Sequence, residues 1–204
     1  MILSGPEIER LVKEGSVRID PFDIKKSNPA SFDLTLGSYG AVYSEVVEQR
    51  DPKDESGMSL FPTDGILDAA QENALLRFTL PKNGFVLKPG IGYLLHTEEV
   101  IWAERLVPVL DGKSSIGRLF TKIHETAGFC DPQFKGQITL EVTVVHKIRI
   151  YPGMRIGQVR FHTITGELRP YDGNYTGDRA LGPVASRSWK QFADDKLSVL
   201  KKLF

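Results

Sequence analysis

A single cysteine, Cys130, stands in 204 residues. A lone thiol cannot close an intrachain disulfide, so burial must hold the fold, and a reducing compartment is expected. Net charge is also missing, since 26 Lys and Arg balance 26 Asp and Glu. That balance speaks against a nucleic-acid polymer as partner and confines any phosphate site to a local cluster. No uncharged apolar run approaches the ~20 residues a membrane span needs. The N-terminal MILSGPEIER has no basic segment followed by an apolar one, so no signal peptide is expected. The expectation is a soluble, cytoplasmic protein with no membrane partner.

A chain of this length suits one domain, able to bury roughly 70% of its unfolded surface. Ser4 and Glu7 have the spacing of a capping box, Ile8, Leu11 and Val12 recur at helical spacing, and Gly15 fits the stop. A short amphipathic helix is therefore expected at the N-terminus, followed by an extended or loop segment over 19–26. From Ser31 onward Phe32, Leu34 and Leu36 alternate with Ser31, Asp33 and Thr35, and 41–47 continue the strand pattern. Residues 49–66, rich in Asp, Lys, Ser, Gly and Pro, read as an exposed loop. Short strands are expected at 78–80, 84–87, 93–96 and 106–110. The clearest strand is 138–145, with Ile138, Leu140, Val142 and Val144 on one face and Thr139, Glu141 and Thr143 on the other; 155–162 follow. Leu87-Lys-Pro-Gly90 and Ile150-Tyr-Pro-Gly153 read as type II turns between strands. Residues 169–189 read as an ordered or lid-like tail, and Leu197, Leu200 and Leu203 as an amphipathic helix within 194–204. Many short strands with Pro-Gly turns and one leading helix give a mainly-β barrel or double-sheet jelly roll.

The polar chemistry concentrates between Asp111 and Glu141. Gly112-Lys113-Ser114-Ser115 offers backbone N–H groups, two hydroxyls and an ammonium, which suits phosphate oxygens. It is not a nucleoside-triphosphate P-loop, because Val107 stands where that motif needs its first glycine. On these four residues alone, an ordinary polar turn before a helical segment is the better reading. Glu141 reads either as a solvent-facing carboxylate or as one that shuttles protons in a cleft, and spacing does not decide. Asp131 before Pro132 is a common turn starter. Arg118 reads as a surface charge or as one aimed at the same site, and His124 more simply as structural. Four histidines and one cysteine supply no metal pattern, and the His-x-Glu with Pro-Cys-x-x-Cys of zinc deaminases is missing.

Taken together, Asp111-Gly-Lys-Ser-Ser-Ile-Gly-Arg118, His124-Glu-Thr-Ala-Gly-Phe-Cys-Asp-Pro132, Gly136-Gln-Ile-Thr-Leu-Glu141 and Pro152-Gly-Met-Arg-Ile-Gly-Gln158 resemble the dCTP deaminase family. Met1–Ser4, the element Ile19, Asp20, Pro21 and Phe22, Ser31–Gly37 and Pro183–Arg187 extend the resemblance, which spans most of residues 1–192. It implies a distorted β-barrel or jelly roll of the trimeric dUTPase-like type over 1–192, with 193–204 as a C-terminal tail. It also implies a homotrimer with sites between subunits, and dCTP as substrate. The reaction it implies is metal-independent deamination to dUTP and ammonia, with magnesium carried on the triphosphate and no zinc. dUTP is a further candidate ligand and dTTP a candidate inhibitor.

The residue roles come from the same resemblance. Glu141 matches the catalytic glutamate that takes a proton from water and passes protons to N3 and the leaving ammonia. Ser114, Arg118 and the carbonyl of Ala127 match the groups that hold the water and polarise the base. Lys113 and Ser115 match triphosphate ligands, and Ile116 and Gly117 complete that turn among the substrate-binding residues. Asp131 matches the aspartate at the deoxyribose, Thr139 and Leu140 lie beside the base, and Gln158 and Tyr171 are further nucleotide contacts. The His-x-Thr-Ala-Gly-Phe-x-Asp-Pro loop resembles bifunctional members, in which Asp131 positions a second water and the products are dUMP and pyrophosphate. One departure concerns the tail. The family closes over the phosphates with Lys-Tyr-Gln-x-Gln, whereas this chain reads Asn174-Tyr-Thr-Gly-Asp178 and then Arg179. Asp178 would repel phosphate unless it turns away or meets magnesium, and Arg179 or Arg187 would have to substitute. A dUTPase-type pyrophosphatase and a non-catalytic nucleotide-sensing module are the competing readings.

Overall fold

The computed structural model describes residues 1–175, 177 and 182–192. Ser4 caps helix α1 (Gly5–Glu14), its Oγ accepting from the Glu7 N–H, and Gly15 ends the helix at φ +84°. The expected capping box is half made: the Glu7 carboxylate turns outward to Arg10 instead. Ile8 buries the apolar stripe against the sheets.

The strands follow as β1 (Val17–Asp20), β2 (Ser27–Asn28), β3 (Ser31–Thr35), β4 (Tyr39–Tyr43), β5 (Val47–Gln49), β6 (Leu60–Pro62), β7 (Leu75–Thr79), β8 (Phe85–Leu87), β9 (Tyr93–Ala103) and β10 (Leu106–Gly112). After them come a one-turn helix α2 (Ser114–Gly117), then β11 (Thr121–Lys122), β12 (Gly136–Val144), β13 (Ile148–Ile150) and β14 (Arg155–Thr163). A six-stranded sheet runs β11-β12-β9-β4-β7, with β1 also on β9, and a four-stranded sheet runs β10-β14-β3-β2. Every pairing is antiparallel. Among the described residues two two-stranded pairs, β13-β8 and β5-β6, complete the mainly-β fold that the pattern of short strands predicts. Phe32, Leu34, Tyr93, Leu95, Leu140, Val159 and Phe161 fill its core at 1% exposure or less, each contributing about 1.5–3 kcal/mol by burial. Gly90 and Gly153 sit at φ +80° and +79°, the backbone that a Pro-Gly type II turn demands and that a Cβ would oppose.

Three expectations need extension or correction. The strand expected from Ser31 onward forms, but every residue of β3 is buried, the polar ones included. Its polar side chains are satisfied from inside. Asp33, wholly buried, accepts from Lys113 Nζ at 2.7 and 2.8 Å, Arg155 at 3.1 Å and Asn28 at 2.8 Å. Thr35 donates its N–H at 2.9 Å to the buried carboxylate of Glu99, which also takes Lys26 Nζ at 2.8 Å. Paired charges tolerate burial that single ones do not. Second, residues 49–66 are not simply an exposed loop: β5 and β6 pair, and Ser59 and Leu60 are buried. Lys88 bridges this excursion to the core, its ammonium 3.7 Å from the Phe61 ring centroid and donating to the Met58 and Leu60 carbonyls. Third, the strand expected at 93–96 runs on to Ala103, because Val100 and Ile101 are core residues and Glu99 has its partners. The amphipathic helix expected within 194–204 lies outside the described residues, as do Asp178 and Arg179.

Candidate active site

β12 presents Thr139, Glu141 and Thr143 on its outer face while Ile138, Leu140, Val142 and Val144 are buried behind it. Its neighbour β9 sets Leu94 opposite Glu141 and His96 opposite Thr139. A register shift between Gln137 and Thr139 is filled by Thr97, whose hydroxyl accepts from the Ile138 N–H at 2.9 Å and donates to the Glu99 carbonyl. His96 is held neutral, its pKa pushed down by burial. Its Nε2 faces the Tyr39 N–H at 3.2 Å, so the proton sits on Nδ1 and points to the Thr97 carbonyl at 2.9 Å. Gly37 is required beside this ring, since a Cβ there would stand 2.1 Å from it.

Over that face lies a cavity of about 430 Å³ whose lining includes Leu94, Ala127, Asp131, Thr139, Glu141 and Tyr171. Five of these six are residues singled out from the sequence. Glu141 Oε2 accepts the backbone N–H of Glu125 at 3.0 Å. Asp131 sits at a turn closed by the Phe134 N–H on its carbonyl, so its turn-forming role is real and its carboxylate is exposed at the rim. Tyr171 is held by its N–H on the Pro132 carbonyl at 2.8 Å and by its ring edge on Phe134. Cys130 also lines the space. Burial, with Asp131 beside it, pushes this thiol up to about 12, so it stays protonated near neutrality and is no nucleophile.

The far wall is the segment 183–187, which the sequence marks as part of an ordered or lid-like tail and of the family resemblance, without assigning it to this wall. The Pro183 carbonyl takes Arg77 at 3.0 Å, the Val184 N–H donates to Thr139 Oγ1 at 3.1 Å, and the Ser186 N–H donates to the Tyr43 hydroxyl at 2.8 Å. The Arg187 N–H reaches the Tyr175 hydroxyl at 2.9 Å. Tyr43, Phe129 and Tyr175 also line the cavity; Phe129 and Tyr175 stand inside the stretches 124–132 and 174–178 without a role read from the sequence, and Tyr43 looks there like any strand aromatic.

The remaining sequence-marked residues gather elsewhere on the chain. Gly112 closes β10 against β14, with Gln158 Nε2 on its carbonyl at 3.3 Å and Gln158 Oε1 taking the Ser31 hydroxyl at 2.9 Å. Lys113 precedes α2 with its ammonium on Asp33. Ser114, Ser115, Gly117 and Arg118 are exposed, and none of Lys113–Arg118 lines the Glu141 cavity of the same chain. Ile116 and Leu140 point into the core at 6% and 0% exposure, so Leu140 has only its backbone to offer a ligand. Next to α2 the surface carries Leu119, Phe120 and Val145 at 51%, 62% and 60% exposure, and the Phe120 carbonyl takes the Val145 N–H. Among the described residues no group of three or more His, Cys, Asp and Glu is placed to hold a metal. Among them, too, no helix is long and apolar enough to cross a membrane.

A family model described as dCTP deaminase-like matches residues 2–164. The "dCTP deaminase, dUMP-forming" of Leptospira biflexa serovar Patoc is 40% identical over 185 residues, which is 90% of this chain and 94% of that protein. A protein of the same name from Hathewaya histolytica is 40% identical over 185 residues, 90% of this chain and 95% of its own length. Among solved structures, 2'-deoxycytidine 5'-triphosphate deaminase from Agrobacterium tumefaciens matches with a TM-score of 0.55 at 22% identity. That match covers 79% of this chain and 48% of the other, so the chain spans about half of that structure's length, and the likeness is one of fold.

Proposed function

The chain belongs to the dCTP deaminase-like family, and from that premise we propose that it converts dCTP, as its magnesium complex, and two waters to dUMP, ammonia and pyrophosphate. The sequence by itself favours dUTP as product. The relatives that match over 90% of the chain are named as dUMP-forming, and this moves the reading to the bifunctional reaction. The observation that carries it is the presence of two carboxylates, Glu141 and Asp131, in the lining of one cavity.

In this reading Glu141 removes a proton from water. The hydroxide attacks C4 of cytosine, and the protons pass to N3 and to the departing ammonia. A tetrahedral intermediate at C4 needs a proton shuttle and fixed dipoles. Ser114, Arg118 and the Ala127 carbonyl supply the dipoles and the positive charge. Asp131 lies at the sugar and positions the second water, which attacks the α-phosphorus and expels pyrophosphate. Thr139, Leu140, Gln158 and Tyr171 contact the nucleotide, and Lys113, Ser115, Ile116 and Gly117 form the turn that takes the triphosphate.

The separation of the Lys113–Arg118 turn from the Glu141 cavity within one chain supports a site assembled from two copies, in a homotrimer. The apolar Leu119, Phe120 and Val145 beside that turn favour association there. Incubating dCTP and magnesium with the protein and resolving dUTP, dUMP, ammonia and pyrophosphate tests the reaction. Equal ammonia and pyrophosphate with no dUTP build-up is expected. Accumulating dUTP returns the reading to simple deamination, and no ammonia removes it.

A further inference from the structure

Glu141 depends on a loop that has little else to hold it. Residues 124–127 run between the buried Ile123 and Gly128, whose carbonyl takes the Leu110 N–H. Among the described residues, the hydrogen bonds of 124–127 are those of Glu125. Its N–H donates to Glu141 Oε2 at 3.0 Å, and its Oε1 accepts from the Thr143 hydroxyl at 2.6 Å. Thr143 and Glu141 are two apart on β12 and share its outer face, so one strand grips one loop residue twice, through its backbone and through its side chain. Lys122 Nζ lies 3.6 Å from Glu125 Oε2, with the two side chains 70% and 41% exposed. A pair so wet adds little. The Thr143 hydroxyl first and the charge of Lys122 second hold the Glu125 carboxyl below its ordinary value, which keeps it an acceptor near neutrality.

We infer that Thr143 and Glu125 are a positioning pair for Glu141. The hydroxyl-to-carboxylate bond pins the 124–127 loop against β12. Pinning keeps the Glu125 N–H on one Glu141 oxygen, leaves the other oxygen to the cavity, and fixes Ala127 in the cavity wall. This inference rests on the proton-shuttle role proposed for Glu141. The geometry of a reacting group matters steeply, since a misplacement of about 1 Å can cost on the order of 10²-fold in rate.

The test compares Thr143→Val, Thr143→Ser and Glu125→Ala in the full-length protein. Turnover of magnesium-dCTP and hydrogen exchange at the Glu125 amide are the two readouts. Thr143→Val is isosteric and removes only the donor. It should lower kcat by about tenfold, the worth of one hydrogen bond, while KM for dCTP stays within about twofold. Thr143→Ser restores the donor and should restore kcat. The double variant Thr143→Val/Glu125→Ala should be no worse than the poorer single variant, because both break one link. The Glu125 amide should exchange about tenfold faster in Thr143→Val than in wild type or Thr143→Ser. Undiminished kcat in Thr143→Val overturns the inference, as does equal loss in the Val and Ser variants or unchanged amide exchange. Turnover that survives Glu141→Gln instead overturns the proposed role of Glu141. The exchange measurement then still decides whether the latch exists.

Discussion

At the scale of single residues the proposed chemistry turns on Glu141, whose carboxylate has one oxygen on the Glu125 N–H and a place in the cavity lining. Glu141→Gln keeps the shape and removes the proposed base. It should lower the rate of ammonia release from dCTP by roughly 10²–10⁴-fold, the usual weight of a general acid-base group, while nucleotide binding measured by calorimetry persists. Cys130 gives a second expectation at this scale. A thiol held at about 12 is almost entirely protonated near neutrality, so alkylation by iodoacetamide at pH 7.5 should run far slower than that of a free thiol of pKa about 8.5. Rapid modification in the folded protein would contradict the raised thiol pKa at this half-buried position in the cavity wall.

At the scale of elements, β12 serves two purposes at once, and its period-2 alternation keeps them apart. Leu140, at 0% exposure, backs the strand against the core, and Leu140→Ala should cost about 2–5 kcal/mol, read from denaturant midpoints. Opposite Thr139 on β9, His96 gives a pH dependence. Burial lowers its folded pKa, so the unfolded chain binds this proton more readily than the folded one. The stability His96 provides is complete above its unfolded value of about 6.5 and is lost as pH falls from there through the folded value. A thermal melt followed from pH 7.5 down to 5 should show falling Tm, and His96→Gln should flatten part of that slope. An equal slope in both proteins would put the effect on groups other than His96; Asp54 is not among them, since hydrogen bonds from Ser56 hold it at about 2 and its loss belongs to a more acid window.

For the molecule as a whole, the sequence-marked residues fall on two places of one chain, and the proposed trimer reunites them across copies. Subunit mixing decides this. Glu141→Gln and Arg118→Ala homomers should each be nearly inactive. Refolded together at equal amounts, they should recover up to about a quarter of wild-type activity, because random neighbours in a cyclic assembly pair the two intact halves that often. Mixtures as inactive as their parents would place all the groups within one subunit.

Part of this architecture is legible in the sequence alone. Period-2 alternation over 138–145 reports which face of β12 is wet, because in an antiparallel strand with one buried face the pattern is the burial. Ser4 and Gly15 bound the helix, and Pro89-Gly90 and Pro152-Gly153 mark their turns, because capping and turn geometry are local properties of a few residues. The order of motifs from Asp111 to Gln158 identifies the family, and the resemblance names Ala127, Asp131, Thr139, Glu141 and, beyond those motifs, Tyr171, which the fold gathers at one cavity. The buried partners of Asp33 and Glu99 were not readable, since Lys113 is 80 residues and Lys26 is 73 residues from its acid and alternation alone makes such carboxylates look wet. Nor was the strap at 183–187, whose anchors on Arg77, Thr139 and Tyr43 come from three strands that only sheet pairing brings side by side. Local patterns specify elements and their faces. Long-range pairing decides which charges are neutralised, which loop reaches Glu141, and that the Lys113–Arg118 turn stands apart from it.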